Sequence, residues 1–432
     1  MTVKRVSVHV LGAMPKGNLG TIAAQRALFK VLIDGGIDLS VSTSDQETFK
    51  YTHSEYKSLK VYGSLQPNIG VKETRSYLQW AIFSIFNLTL FTFMAPLMRL
   101  GVKFPSKREV INRIKSCDIL MDLNLELFRG IPISVSPSLI SQKPYVLTIH
   151  KIFWSFRILQ HLWFLFLIKS IFKKKLVVGP ASYGPFEGLP IIIKWLVKTF
   201  LNKFIDLVLV REPYSARLLR ELGVKNYCIV TDIAVLARAE EPRFYTHFRH
   251  FGSAIGVAPA SLKYTFTRAE VEAYVAAHAK LLDELVAQGE RMIFLPSTPE
   301  DEIMCRMIIS RMENKDRVKI IVTNNVNVYE SLISGLKILI TTRMHPSIIA
   351  SRNFVPFVSI IHDHKQIGFM MQIGFSHLSI PFSKVSYDNL RSKINELIKN
   401  YDEIKKVLKN NVCKLQYLQK EKILHLIHLL VS

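Results

Sequence analysis

The chain is dominated by short apolar runs of strand length that alternate with longer segments of helical periodicity. In the first half, the strand-like runs fall at residues 5–11, 38–42, 118–123, 145–149, 176–179 and 207–210. Strands that alternate with helices favour a parallel sheet, because each helix returns the chain to the edge where the next strand begins. The pattern therefore predicts an α/β fold.

The alternation starts again after a polar stretch at residues 240–252. Strand-like runs then fall at residues 254–257, 292–295, 318–322, 338–340 and 356–360. We therefore predict two Rossmann-like domains, at residues 1–248 and 249–384. In residues 385–432, apolar positions recur at steps of three and four, which predicts an amphipathic helical tail packed across the domains, with a coiled coil as the alternative.

The chain carries 57 Lys and Arg against 34 Asp and Glu, a formal net charge of +23. Nucleic acid, anionic lipid or a polyanionic substrate would each suit such a charge. Basic runs such as residues 173–175 are short and no nucleic-acid-binding motif accompanies them, so we predict no nucleic-acid partner.

Two apolar stretches, at residues 81–98 and 152–168, are predicted to be buried or interfacial helices, and attachment to an anionic membrane surface is the preferred hypothesis. The alternative is that residues 81–98 span the membrane. The four cysteines are scattered, and neither a structural zinc signature nor a secretory leader is recognisable. We expect a cytoplasmic protein held peripherally at the inner membrane face.

Arg343 and His345 lie where a predicted strand gives way to a predicted helix. Ligands of α/β enzymes bind at the carboxyl ends of strands, and helix N–H groups there attract anions. A guanidinium binds carboxylate or phosphate through paired hydrogen bonds, and an imidazole transfers protons near neutral pH. The alternative is an ordinary surface arginine beside a capping histidine.

Arg211 occupies the equivalent place in the first domain, after the run at residues 207–210 and before Pro213, which starts a helix. Two facing domains that each supply an arginine would form a cleft for a small dianion. The alternative for Arg211 is a salt bridge to Glu212 or Glu221.

Other polar residues also follow predicted strands. Asn18 lies in a glycine-flanked turn that is suited to an anion, and Glu126 is a candidate base or a solvated acid. Glu300 is a candidate site residue, although pairing with the helix dipole also explains it. Near His362 and His364 we predict that Lys365 contacts an anion, and no metal site.

Several segments, taken in order, resemble the polysaccharide pyruvyl transferase family. They are residues 17–20, 118–128, 176–186, 211–215, 222–224, 231–234, 295–301 and 342–365, and the similarity covers about residues 5–375. The resemblance implies a fold like that of GT-B glycosyltransferases. It also implies transfer of the enolpyruvyl group of phosphoenolpyruvate onto two hydroxyls of a sugar, which gives a pyruvate ketal and phosphate.

By this resemblance, Arg211 and Arg343 would bind phosphoenolpyruvate, with Lys365 as a further contact, and His345 would be the catalytic histidine. Asn18, Glu126 and Glu300 are assigned to the acceptor side by their position. The implied acceptor is a surface-polysaccharide precursor, lipid-linked at the inner leaflet. Neither a metal nor another cofactor is expected.

The chain departs from the family pattern at four places. Thr21 stands where an aspartate is usual, Leu125 and Glu126 where a glycine-containing pair is usual, Ser297 where a histidine is common, and Phe354 where a glycine is expected. These departures suggest a catalytically degenerate member as one alternative. A GT-B glycosyltransferase that uses a nucleotide sugar is the other.

Overall fold

A computed structural model describes residues 5–14, 19–56, 58–65, 77–102, 104–123, 126–128, 144–237, 253–261 and 266–432. Two parallel sheets, one in each half of the chain, form the framework. The predicted α/β architecture with two Rossmann-like halves is confirmed. The predicted boundary at residue 248 lies outside the described residues.

The first sheet has the spatial order β3-β2-β1-β4-β6-β7-β8, with β5 beside β6. Its strands are β1 (Ser7–Ala13), β2 (Asp38–Thr43), β3 (Lys60–Gly63), β4 (Ile119–Asp122), β5 (Glu126–Leu127), β6 (Lys175–Tyr183), β7 (Leu207–Val210) and β8 (Tyr227–Ile229). The helices of this half are α1 (Leu19–Asp34), α2 (Gln46–Thr52), α3 (Tyr77–Arg99), α4 (Arg108–Ser116), α5 (Pro144–Phe172), α6 (Ile191–Lys203) and α7 (Pro213–Leu222).

The second sheet has the order β11-β10-β9-β12-β13-β14. Its strands are β9 (Ile255–Ala258), β10 (Met292–Phe294), β11 (Val318–Ile320), β12 (Ile338–Thr341), β13 (Phe357–Ile361) and β14 (Ser379–Pro381). The accompanying helices are α8 (Arg268–Ala287), α9 (Pro299–Arg311), α10 (Val326–Ser334), α11 (Met344–Arg352) and α12 (His364–Ile373).

A different set of helices packs on each face of the first sheet. Helices α3, α5 and α6 share one apolar core with β4, β6 and β7. Helix α1 lies on the other side, in a core that continues into the second sheet and its helices. The second domain packs against the α1 side and its helix α12 contacts α7, whereas the outer side of the α3, α5 and α6 layer points away from it.

The tail consists of α13 (Tyr387–Lys399) and α14 (Tyr401–Leu429). Helix α14 reaches back to the first domain, where Lys422 Nζ donates to the carbonyl of Ile229 at 2.7 Å and Gln416 Nε2 to that of Val235 at 2.6 Å. It also packs against α11 and α12 of the second domain. The tail thus joins the two halves, as its apolar stripe predicts.

One strand prediction is wrong. Residues 145–149 lie inside α5, which runs for 29 residues. A short run of apolar and β-branched residues does not by itself distinguish a buried strand from a buried helix. Here the run continues into a long apolar segment, and the whole segment is helical.

The predicted apolar stretches at residues 81–98 and 152–168 fall within α3 and α5. From Lys151 to Phe172, α5 is long and apolar enough to cross a bilayer, with 28% of its apolar window buried. Leu165 and Ile168 of this helix are nevertheless packed into the core of the first domain, so in this fold α5 is a layer of the domain.

Candidate active site

A cavity of about 510 Å³ lies where the two sheets meet at the carboxyl ends of their strands. The first domain contributes Arg211 and Asp122, and the second contributes Arg343, His345 and Lys365. The predicted donor residues from both domains are therefore brought to one cavity. Parallel strands that end at a shared cleft position ligand-binding groups in this way.

Arg211 follows β7 and is almost fully buried. Its Nε donates to Ser182 Oγ at 2.7 Å and its Nη1 to Asp232 Oδ2 at 3.0 Å. These bonds fix the plane of the guanidinium and do not use Nη2, which leaves N–H groups for a ligand. Its ion-pair partner is therefore Asp232, where the sequence suggested Glu212 or Glu221 as the alternative.

Arg343 is the N-cap residue of α11 and follows closely after β12. Its Nε and Nη2 both bond the carboxylate of Asp301, with Nε to Oδ2 at 3.0 Å. Asp301 is fully buried at the start of α9 and also accepts from the backbone N–H of Ser261 at 2.8 Å. This two-point pairing holds the guanidinium and leaves Nη1 outside it.

His345 is the second residue of α11, whereas the sequence predicts it on the connection before the helix. Gly20, in the first turn of α1, faces it across the cleft. A Cβ added to Gly20 would lie 2.1 Å from Cβ and Cγ of His345. Because only a glycine permits this approach, the amino ends of α1 and α11 meet at the imidazole, and both direct N–H groups toward this region.

Lys365 lies in the first turn of α12, with its Nζ 3.7 Å from Asp363 Oδ2. Asp363 caps this helix, and Gln366 Nε2 donates to the carbonyl of Thr342 at 3.1 Å, which ties α12 to the Arg343 segment. His362 lines the cavity, whereas His364 is buried against Asp363. Across the described residues, no group of three His, Cys, Asp or Glu side chains is placed to hold a metal ion.

Asp122 and His161 form a second polar centre on the first-domain wall. Asp122 ends β4 and is nearly buried, and its Oδ2 lies 2.9 Å from Nε2 of His161 in α5. A carboxylate that accepts from Nε2 leaves the lone pair of the neutral ring on Nδ1. Such a pair can accept a proton from a hydroxyl placed in the cavity.

Charge in the cavity is more balanced than the number of cations suggests. Arg211 and Arg343 are each paired with a buried carboxylate, and Lys365 lies near Asp363. An anion would therefore be held mainly by directed N–H groups and by the helix amino ends, more than by net charge.

The wall between the domains contains a further buried acid. Glu212 caps α7 by accepting from the backbone N–H of Ser215 at 2.8 Å, and burial raises the pKa of its carboxyl above the usual range. Gly368 of α12 lies so close that an added Cβ would be 2.7 Å from Cβ of Glu212. Glu212 thus contributes to the contact between α7 and α12.

Of the three predicted acceptor-side residues, Glu300 is the one whose side chain is described, and it does not line the cavity. Asn18 lies outside the described residues, and so does the side chain of Glu126, whose backbone is in β5. Glu300 is exposed in the first turn of α9, and its neighbour Asp301 is the acid that reaches the site.

Several site residues are not predicted from the sequence, among them Asp232, Asp301 and His161. A signal existed for His161, since it lies four residues after Arg157 in a largely apolar helix. Both residues line the cavity from one side of α5. The two carboxylates carry no such signal, because each is paired with an arginine distant in sequence.

Two Rossmann-like domains with a cleft between their strand ends define a protein of the GT-B fold class. UDP-GlcNAc 2-epimerase of Neisseria meningitidis has this fold, with a TM-score of 0.57 at 11% identity and coverage of 98% of this chain and 99% of that one. A glycosyltransferase of Rickettsia africae gives 0.57 at 10% identity over 99% of each chain. HepE of Anabaena, in complex with UDP-glucose, gives 0.54 at 11% identity over 98% of each.

The chain belongs to the polysaccharide pyruvyl transferase family, whose model matches residues 51–364. It is also 22% identical over 255 residues to the amylovoran biosynthesis protein AmsJ of Erwinia amylovora. That alignment spans 54% of this chain and 60% of AmsJ. The resemblance stated from sequence is thereby confirmed at the level of the family.

Proposed function

We propose that this protein transfers the enolpyruvyl group of phosphoenolpyruvate onto two hydroxyls of a surface-polysaccharide precursor, which forms a pyruvate ketal and releases phosphate. The observation that carries the proposal is the meeting of Arg211, Arg343, Lys365 and His345 at one cavity between the domains. Family membership and the similarity to AmsJ support the assignment to polysaccharide synthesis.

The donor has a carboxylate and a phosphate, which match two guanidinium groups fixed on opposite walls. Arg211 and Arg343 would each bind one of these anionic groups through the N–H groups that their carboxylate partners do not use. Lys365 and the amino end of α11 would add further donors to the phosphate. This arrangement would leave the methylene carbon near His345.

Protonated His345 would give its proton to the methylene carbon, which turns the neighbouring carbon into an oxocarbenium ion. A sugar hydroxyl would attack that carbon, and its proton would pass to His161, which Asp122 orients. The bond to the phosphate oxygen then breaks, and the departing phosphate takes the proton from His161. A second hydroxyl closes the ketal and returns a proton to His345.

The test is phosphate release from phosphoenolpyruvate with candidate sugar or lipid-linked sugar acceptors, and with mass spectrometry of the product. We expect His345→Ala to lower the rate about 10² to 10⁴-fold. The rate of the unmodified protein should depend on a group that titrates between about pH 5 and about pH 8. Sugar-nucleotide turnover would instead indicate a glycosyltransferase, and no turnover with any acceptor would indicate a degenerate member.

A further inference from the structure

Helices α3, α5 and α6 present a continuous apolar surface on the side of the first domain that faces away from the second. Each helix contributes a stripe of exposed residues: Phe86, Phe93 and Leu97 on α3, Ile152, Leu159 and Trp163 on α5, and Ile191, Ile192 and Trp195 on α6. Phe93 is 70% exposed and Ile191 83% exposed. We call this set the outer apolar face.

Direct contacts make the three helices one surface. Trp163 Nε1 donates to Thr92 Oγ1 at 2.8 Å, which joins α5 to α3. Phe166 packs edge-to-face on Phe204 at the end of α6, with ring centroids 5.3 Å apart. The opposite sides of all three helices are buried in one core, so their exposed stripes point to the same side of the molecule.

The charges on these helices have one sign. In α3, α5 and α6 there are seven Lys and Arg residues and no Asp or Glu. Lys198 and Lys203 of α6 are exposed beside its apolar stripe, and Arg99 is exposed at the end of α3. Indole rings, aliphatic side chains and lysines on one face suit the boundary between head groups and acyl chains of an anionic bilayer. A protein partner offers no comparable reason for the complete lack of acids.

Helix α5 connects this face to the cavity. Arg157, His161 and Phe164 line the cavity, whereas Ile152, Leu159 and Trp163 are exposed on the outer face. At about 100° per residue these two sets lie on opposite sides of the helix. A bilayer on the outer face would therefore place the cavity within one helix diameter, about 10 Å, of the head groups.

We infer that the outer apolar face docks onto an anionic phospholipid bilayer and presents the cavity to acceptors anchored in that bilayer. Docking follows from the surface alone. Only the presentation of the cavity to membrane-anchored acceptors rests on the proposed function. Membrane docking can therefore be refuted without refuting the proposed function, and the reverse.

The test is flotation of the full chain with phosphatidylcholine vesicles and with vesicles that also contain phosphatidylglycerol. We expect flotation with the anionic vesicles and at least a tenfold smaller bound fraction with the neutral ones. The triple variant Ile191→Ser, Ile192→Ser, Trp195→Ser should lose at least tenfold in binding. A matched control, Ile303→Ser, Val322→Ser, Tyr417→Ser, changes three equally exposed residues outside this face and should bind like the unmodified protein.

Charge is tested separately with Lys198→Glu, Lys203→Glu against the control Lys406→Glu, Lys414→Glu on α14, where both lysines are also exposed. Only the first pair should weaken binding. Docking is overturned if the unmodified protein floats with neither vesicle, or if the triple variant floats as well as the unmodified protein. Equal flotation with neutral vesicles would overturn the anionic preference. Turnover of a soluble acceptor by the triple variant should be unchanged.

Discussion

At the scale of single residues, the arginines of the cavity work as oriented donors because carboxylates hold them. Asp232 fixes Arg211 and Asp301 fixes Arg343, and both acids are buried. A fixed guanidinium loses little freedom when an anion binds, and its planar fork matches carboxylate and phosphate. The sequence predicts both arginines from their places at strand ends, but it does not predict the acids that orient them.

Arg343→Lys should weaken phosphoenolpyruvate binding, since an ammonium group reproduces neither the two-point pairing with Asp301 nor the remaining directed donors. We expect KM for phosphoenolpyruvate to rise about 10- to 100-fold, the equivalent of one charged hydrogen bond. Steady-state kinetics would measure it. Arg306→Lys, at an exposed pair with Glu302, is the matched control, and a KM within twofold of the unmodified protein would contradict the role of Arg343.

Gly20→Ala should lower turnover, because the new Cβ would lie 2.1 Å from His345 and displace the imidazole. We expect a loss of about tenfold or more in kcat, comparable to misplacing a reacting group. Gly63→Ala is the control, since its Cβ would meet only the flexible end of Gln46 at 3.0 Å. Unchanged kcat in Gly20→Ala would show that the close approach does not position His345.

Phe354 illustrates how a departure from the family pattern leaves a trace in the backbone. The family pattern expects a glycine there, and the structure places Phe354 at φ 58°, in the left-handed region that glycine adopts most easily. Its ring lies 5.7 Å from Nζ of Lys409 in α14. The chain keeps the backbone form of the glycine while it uses the side chain to contact its tail.

At the scale of elements, hydrophobic periodicity predicts most of the helices and strands. Where a short apolar run fits either, the length of the whole periodic segment decides between helix and strand. The central strands β1, β4, β7, β9 and β12 are predicted within a few residues, because each is a buried apolar run between turn residues. The short strands β3, β5, β8 and β14 are not predicted. Strands β3, β8 and β14 lie at sheet edges and are only partly buried, so they lack the buried apolar run of the central strands, and β5 has only two residues. Pairing with a neighbouring strand establishes all four.

Helix α5 shows that polar residues within a largely apolar helix can indicate a site. Its apolar residues predict a buried or interfacial helix, while two of its polar residues, Arg157 and His161, line the cavity. Arg157 also lies over the ring of Trp154, with its guanidinium carbon 5.0 Å from the ring centroid. Polar residues four apart in an apolar helix therefore marked a wall of the candidate active site.

His161→Gln should remove the proposed acceptor-side base while the helix remains intact. We expect kcat with a soluble acceptor to fall about 10²-fold, the lower end for loss of a positioned acid or base. Leu159→Ala, on the exposed side of the same helix, should leave this rate unchanged. A rate for His161→Gln equal to that of the control would remove His161 from the proposed mechanism.

At the scale of the whole molecule, the domains are tied together around the cavity. Gln372 of α12 donates to the carbonyls of Arg211 at 3.2 Å and Val230 at 3.1 Å. Arg352 of α11 donates to the carbonyl of Ala234 at 2.9 Å. The two walls of the cavity are therefore held in place by hydrogen bonds that cross between the domains, in addition to those of the tail.

Stability should fall as the pH falls, because burial lowers the pKa of His278 to about 4, of His53 to about 4 and of His9 to about 3. Each stays neutral in the folded protein but takes up a proton near its ordinary pKa when unfolded. The unfolded state then binds more protons, so stability is lost as the pH drops from about 6.5 towards the folded pKa.

For His278 the loss should be about 2 kcal/mol between about pH 7 and about pH 5. Urea unfolding of the unmodified protein and of His278→Gln at both pH values would measure it. The variant should lose less stability on acidification than the unmodified protein, whatever its stability at neutral pH. Equal losses would mean that His278 titrates alike in both states.

One side of α5 lines the cavity and the other belongs to the outer apolar face, and this has a consequence for the kinetics of the proposed reaction. An acceptor anchored in a bilayer on the outer apolar face would reach Asp122 and His161 by lateral diffusion, and its encounter rate would follow its surface density. Phosphoenolpyruvate would arrive from bulk water. One substrate would then reach the enzyme by diffusion in two dimensions, and the other by diffusion in three.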